Sequence, residues 1–144
     1  MHRTARLAIA LPLVTLAACR LAPYEPGKAT RAYPTDLVQG SVVQIQVVPQ
    51  EQSVKLVNAT ASGFRDFDLW LNRRYMTHVP ELASGDTLEI PLDRFWDERG
   101  ETPNTGGWFR YYQPTRIVLM QMQTGEKSPL VGLVCTLPET VRER

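Results

Sequence analysis

Histidine, cysteine and charge of one sign are all scarce in this chain. It has two histidines, His2 and His78, and two cysteines, Cys19 and Cys135. Its 16 basic residues nearly balance 15 acidic ones, and no Lys/Arg run concentrates them. Nucleic acid is therefore not expected as a partner, because that contact needs a clustered positive field. No serine lies in a G-x-S-x-G elbow. Thr105-Gly106-Gly107-Trp108 fits neither glycine-rich phosphate pattern, so no cofactor is expected. Long apolar runs are missing too. The longest, Leu7 to Ala18, has twelve residues with Thr15 as its one polar member. At ~1.5 Å per residue, a membrane-spanning helix needs about twenty. Pro12 weakens a helix there further.

A run of that length suits the apolar region of a secretory signal. Before it stand His2, Arg3 and Arg6, with no acid. After it comes Leu16-Ala17-Ala18-Cys19, whose small residues offer a peptidase an uncrowded backbone. This arrangement resembles the lipobox of bacterial prolipoproteins, over roughly the first nineteen residues. The resemblance implies diacylglyceryl transfer to the Cys19 thiol, cleavage before Cys19, and acylation of the new amine. Each buried CH₂ contributes ~0.8 kcal/mol, so several acyl chains hold a protein firmly where one would not. It also implies that Arg20, where an Asp would retain the protein in the inner membrane, directs it to the outer membrane facing the periplasm. The membrane would then be reached through the lipid on Cys19. The other reading is an ordinary signal peptide, leaving Cys19 as a plain thiol.

With residues 1–18 removed as signal peptide, 14 basic residues face 15 acidic ones. Cys135 then has no partner in the chain. It sits in the apolar run Leu133-Val134-Cys135-Thr136-Leu137 and reads as a small buried core residue. Residues 19–40 carry Pro23, Pro26, Pro34, Gly27 and Gly40 without periodicity, which reads as a lipidated N-terminus and flexible tether. Such a tether of about twenty residues spans ~25 Å and would let the domain stand clear of the bilayer.

From Ser41 the pattern is β. Val43, Ile45 and Val47 alternate with Gln44 and Gln46. Strands are expected at Val54–Asn58, around Phe67–Leu71, at Tyr75–Val79 and around Leu88–Leu92. Asp93 reads as the cap of a short helix over Arg94–Arg99, stopped by Gly100. Further strands are expected at Trp108–Tyr112, Arg116–Gln123 and Leu130–Leu137, before a charged tail at 139–144. Seven or eight short strands with turns every eight to twelve residues predict an all-β domain over 41–138. The expected form is a two-sheet antiparallel sandwich of immunoglobulin or fibronectin III size, with a small barrel as the alternative.

Few residues offer chemistry. A nucleophile–histidine pair in the processed chain would have to use His78. One histidine and one free cysteine cannot build a closed zinc site. The densest carboxylates, Asp93, Asp97, Glu98 and Glu101, are interleaved with Arg94 and Arg99 and read as local ion pairs rather than a calcium site. Asn58-Ala59-Thr60 matches a glycosylation acceptor by chance. A small hydrolase would draw on Asp97, Glu98 or His78. The expectation is a protein that is not an enzyme and holds no metal.

One segment stands apart. Six of the twelve aromatics, Phe95, Trp96, Trp108, Phe109, Tyr111 and Tyr112, fall within residues 95–116 with Arg94, Arg99, Arg110 and Arg116. Aromatics and arginines on a loop suit recognition, since they give large contact area with few rotors. They equally suit plugging the end of a β domain with arginines stacked on the rings. As a surface, Trp96, Trp108, Arg110, Tyr111 and Tyr112 would bind an envelope protein, or a cell-wall glycan by ring stacking. Trp70, on the polar face of its strand, is either another exposed anchor or a ring covered by this same segment.

Overall fold

The computed structural model describes residues 24–106 and 113–136. The fold is all-β. Seven strands form it: β1 (Gln39–Pro49), β2 (Ser53–Asn58), β3 (Phe64–Leu71), β4 (Tyr75–Leu82), β5 (Thr87–Pro91), β6 (Met120–Gln123) and β7 (Leu130–Cys135). The strands expected from alternation are there. Ile45 and Val47 point inward while Gln44 and Gln46 stay in solvent, as period 2 requires.

The expected two sheets are not seen. All seven strands belong to one hydrogen-bonded sheet, in the order β4-β3-β6-β7-β1-β2-β5. It is mixed, because β1 and β7 run parallel while the other neighbours are antiparallel. Laid flat, the two edge strands would be about 29 Å apart, at ~4.8 Å per strand. Instead Tyr75, Val79 and Leu82 of β4 share one core cluster with Ile90 of β5 and residues of every other strand. The sheet therefore curls into a nearly closed barrel with that cluster inside.

Two contacts draw β4 toward the β2–β5 side of the sheet, one from the segment after β5 and one from the end of β2. At one end, Met76 and Trp96 exchange backbone bonds of 2.8 and 3.0 Å. At the other, the Asn58 amide donates to the Ala83 carbonyl at 2.9 Å and to that of Leu82 at 3.3 Å. Asn58 is fully buried in this role, which settles the Asn-Ala-Thr match as a turn-organising residue.

The expected helix over Arg94–Arg99 is replaced by one 3-10 turn, Leu92–Arg94, followed by extended backbone. The tertiary contacts outweigh the helix signal. Phe95 is fully buried in the core, and Trp96 is taken up by the bridge to Met76. Asp93 makes no capping bond. Strand β6 begins at Met120 rather than Arg116. Before it, the Asn72 side chain accepts from the Val118 and Leu119 amides at 3.0 and 3.1 Å and donates to the Arg116 carbonyl. The expected strand Trp108–Tyr112, the end of the last expected strand at Leu137 and the charged tail at 139–144 lie outside the described residues.

Odd-numbered strands all point one way and even-numbered strands the other. The barrel thus has two rims. The first carries the turns 50–52 and 72–74 and the segment 92–101. The second carries 59–63, 83–86 and 124–129.

The residues read as a tether lie on the barrel from Tyr24 onward. Tyr24 bridges to Glu101 at the first rim, and the Glu25 amide donates to the Gly100 carbonyl at 2.8 Å. The chain then runs down the outside of β3 and β6 to the second rim. There the Leu130 amide donates to the Val38 carbonyl at 3.0 Å, and β1 begins. This explains why β6, Met-Gln-Met-Gln, is buried at every position. Met120 and Met122 enter the core, and the descending segment covers Gln121 and Gln123.

Candidate functional site

The outer face of β3 is where the descending segment is held. Inward Phe67, Leu69 and Leu71 leave Asp68 and Trp70 facing out. Trp70 is nonetheless fully buried. The Tyr33 ring meets it edge-on at 5.4 Å, and the Arg31 guanidinium lies 4.9 Å from its centroid. Its indole N–H donates to Gln123 Oε1 at 3.0 Å. Arg31 also pairs with Asp68 and donates to Gln123 Oε1 at 3.0 Å, while the Tyr33 hydroxyl donates to Gln121 Oε1 at 2.8 Å. Gln121 donates in turn to Gln39. Trp70 is therefore a covered ring, but its cover is the N-terminal segment with Arg31 and Tyr33 rather than the expected residues 95–116.

His78 stands at the margin of this network. It is exposed, and its Nδ1 lies 3.0 Å from Asp68 Oδ1. The same Asp68 carboxylate is already bound to Arg31. Asp66 Oδ1 is 4.0 Å from His78 Nε2, at the outer limit of an ion pair.

At the first rim Asp97 is the organising group. Its side chain is 3 % exposed. Oδ1 accepts from the Arg99 and Glu101 amides at 2.9 and 2.8 Å. Oδ2 accepts from Arg74 Nε and Nη2 at 2.9 and 2.7 Å. Burial alone would raise this carboxyl, but the Glu101 amide, the Arg74 guanidinium and the Arg99 amide outweigh it and hold the carboxyl below its ordinary range. Arg74 also pairs with Glu101 and lies over the Tyr75 ring at 4.8 Å. Burial would lower the Arg74 guanidinium, yet the bond to Asp97 and the surrounding negative charge leave it raised. These bonds make Asp97 a loop anchor with both oxygens occupied. Among the described residues no three of His, Cys, Asp or Glu gather as a metal-ligand group.

A cleft of about 770 Å³ opens between the descending segment and this rim. Tyr33, Thr35 and Gln39 line one side, and Arg73, Arg99 and Glu98 the other. Its charge is mixed.

Of the sequence-derived recognition surface, only Trp96 is among the described residues. Trp96 is 9 % exposed, engaged by Met76 through its backbone and by Lys28, whose ammonium sits 4.7 Å from the ring centroid. It is a plug rather than an outward anchor, as is Phe95. Trp108, Arg110, Tyr111 and Tyr112 lie outside the described residues, as does Cys19. The stems around those four are placed at one point. The Thr115 amide donates to the Asn104 carbonyl at 2.7 Å, and the Asn104 amide to Thr115 Oγ1 at 3.0 Å. What sequence reasoning missed is the role of Arg31, Tyr33 and Asn72. The signal for Tyr33 was an aromatic in a stretch otherwise rich in proline, paired with a tryptophan on a polar strand face.

No family model matches the chain, and neither a curated protein nor a solved structure matches it.

Proposed function

We propose that the chain is a bacterial envelope lipoprotein, fastened to the outer membrane by acyl chains on Cys19. Its barrel would be a non-enzymatic binding or assembly accessory. The observation that carries this is Leu16-Ala17-Ala18-Cys19 after a basic start and a twelve-residue apolar run. The Asp97 and Asp68 carboxylates support the non-enzymatic half, since both are spent on structural bonds. The partner is a protein of the envelope, met through Trp108, Arg110, Tyr111 and Tyr112, which the sequence places between Asn104 and Thr115. Trp96 no longer belongs to that surface.

Two measurements test this. The processed protein should carry an acylated cysteine at its N-terminus by mass spectrometry and partition with membranes. Pull-down from membranes with a folded Trp108→Ala, Tyr111→Ala variant should lose a partner that the unaltered protein recovers. An unmodified N-terminal thiol on soluble protein would remove the anchor, and unchanged recovery would remove the surface.

A further inference from the structure

Where Cys19 carries the anchor, the barrel has little freedom to leave the bilayer. The stretch between anchor and barrel is short because the chain is docked at Tyr24, through the Tyr24–Glu101 bridge and the bond from the Glu25 amide to Gly100. Only five chain steps separate Cys19 from Tyr24. Fully extended, they reach at most about 18 Å. The docked end is also fixed in place. Gly100 has a φ of +80°, and a Cβ there would overlap the Glu25 carbonyl, so glycine lets the two backbones touch.

We infer that the first rim, bearing Tyr24, Lys28 and Arg99, is a membrane-apposed surface whose partner is the lipid headgroup layer. This rests on the reading of Cys19 as the anchored residue and adds an orientation to it. The second rim is farther out by the length of β4. Its eight residues rise about 26 Å, or roughly 20 Å along the axis once strands tilt as they do in barrels. The turns 59–63, 83–86 and 124–129 then face away from the bilayer.

The chemistry of the first rim fits a headgroup layer. Tyr24 is 64 % exposed right at the chain's exit, and a tyrosine with an apolar ring and a polar tip suits the boundary of water and lipid. Charge does not drive the contact. Lys28, Arg73 and Arg99 are offset by Glu25, Glu98 and Glu101. The apposition is imposed by that short stretch, so neither anionic lipid nor low salt is needed for it.

The test uses the acylated protein in phosphatidylcholine vesicles containing a headgroup spin-labelled lipid, on a Cys135→Ala background. A nitrobenzoxadiazole probe is attached at Arg99→Cys or Lys28→Cys for the first rim, and at Glu126→Cys for the second. All three positions are exposed. Quenching at both first-rim probes should exceed that at Glu126→Cys at least about twofold, given the ~20 Å between rims. It should be the same at high salt. A twenty-residue Gly/Ser spacer inserted between Pro23 and Tyr24 should abolish the difference while leaving vesicle flotation intact. An acylated protein quenched equally at both rims, or insensitive to the spacer, would overturn the orientation alone. An unmodified Cys19 on protein that fails to float would overturn the anchor and the orientation with it.

Discussion

The Tyr33 ring stands on Trp70 with centroids 5.4 Å apart and planes at 89°. This edge-on contact joins a residue of the N-terminal segment to the outward face of β3. It turns a solvent-facing strand position into a buried one.

Loss of that contact should loosen the segment without dissolving the barrel. Tyr33→Ala removes the ring contact and the bond to Gln121, at a cost of about 1–2 kcal/mol. Amide hydrogen exchange should rise across 29–37 well beyond any rise in β1, β2 or β5. Uniform acceleration through the whole sheet would show that the segment is not a separable unit.

Gly100→Ala should unpin the same segment from its other end. The φ of +80° and the overlap with Glu25 together make alanine costly, by more than the ~1 kcal/mol of an unfavourable φ alone. The expected readout is earlier proteolysis at Lys28, together with a lowered denaturant midpoint. Wild-type proteolysis would contradict the close approach.

Asp97→Asn should destabilise by about 2 kcal/mol, less than a fully buried pair because the Arg74 side chain is half exposed. The effect depends on pH with a definite sign. The folded carboxyl binds its proton less tightly than the unfolded one, so the unfolded state takes up protons first as the pH falls. The stabilisation is therefore complete above about pH 5, and it fades through the unfolded value near 3.9 and on through the lower folded value. Urea midpoints of the two proteins should differ at neutral pH and converge in acid. A gap that stays constant to low pH would rule the carboxylate out as the source.

Cys135 should react slowly with thiol reagents at neutral pH. It is half-buried on β7, and burial pushes its thiol up, away from the reactive thiolate. Denaturation should raise its labelling rate by much more than the variant Gly100→Ala does. Fast labelling in the folded protein would place the sulfur at the surface.

How much of this could be read in advance varies by element. Strands β1, β2, β3 and β4 were legible because Ile45/Val47, Val54/Leu56, Phe67/Leu69 and Tyr75/Val79 are local alternations. A period of two needs no knowledge of the partner strand. The segment 92–101 was misleading because its signal, an acid followed by six residues and a glycine, is also local. The forces that overrode it come from far along the chain: Met76 on Trp96, and Arg74 on Asp97. The single curled sheet was illegible for the same reason. Alternation says which side chains turn inward, and it is silent on whether the inward faces belong to one sheet or two.

Residue order alone determined that this protein is made of short strands, that nearly balanced charge gives it no clustered basic field, and that Cys19 follows Leu16-Ala17-Ala18 at the end of a twelve-residue apolar run. Tertiary structure alone decided that Trp70 and Trp96 are covered, and that the proline-rich stretch from Tyr24 is cladding rather than free tether. The division has a physical cause. Patterning and short motifs act between neighbours in the chain, whereas the burial of a ring depends on residues dozens of positions away, such as Tyr33 against Trp70, that only folding brings within reach.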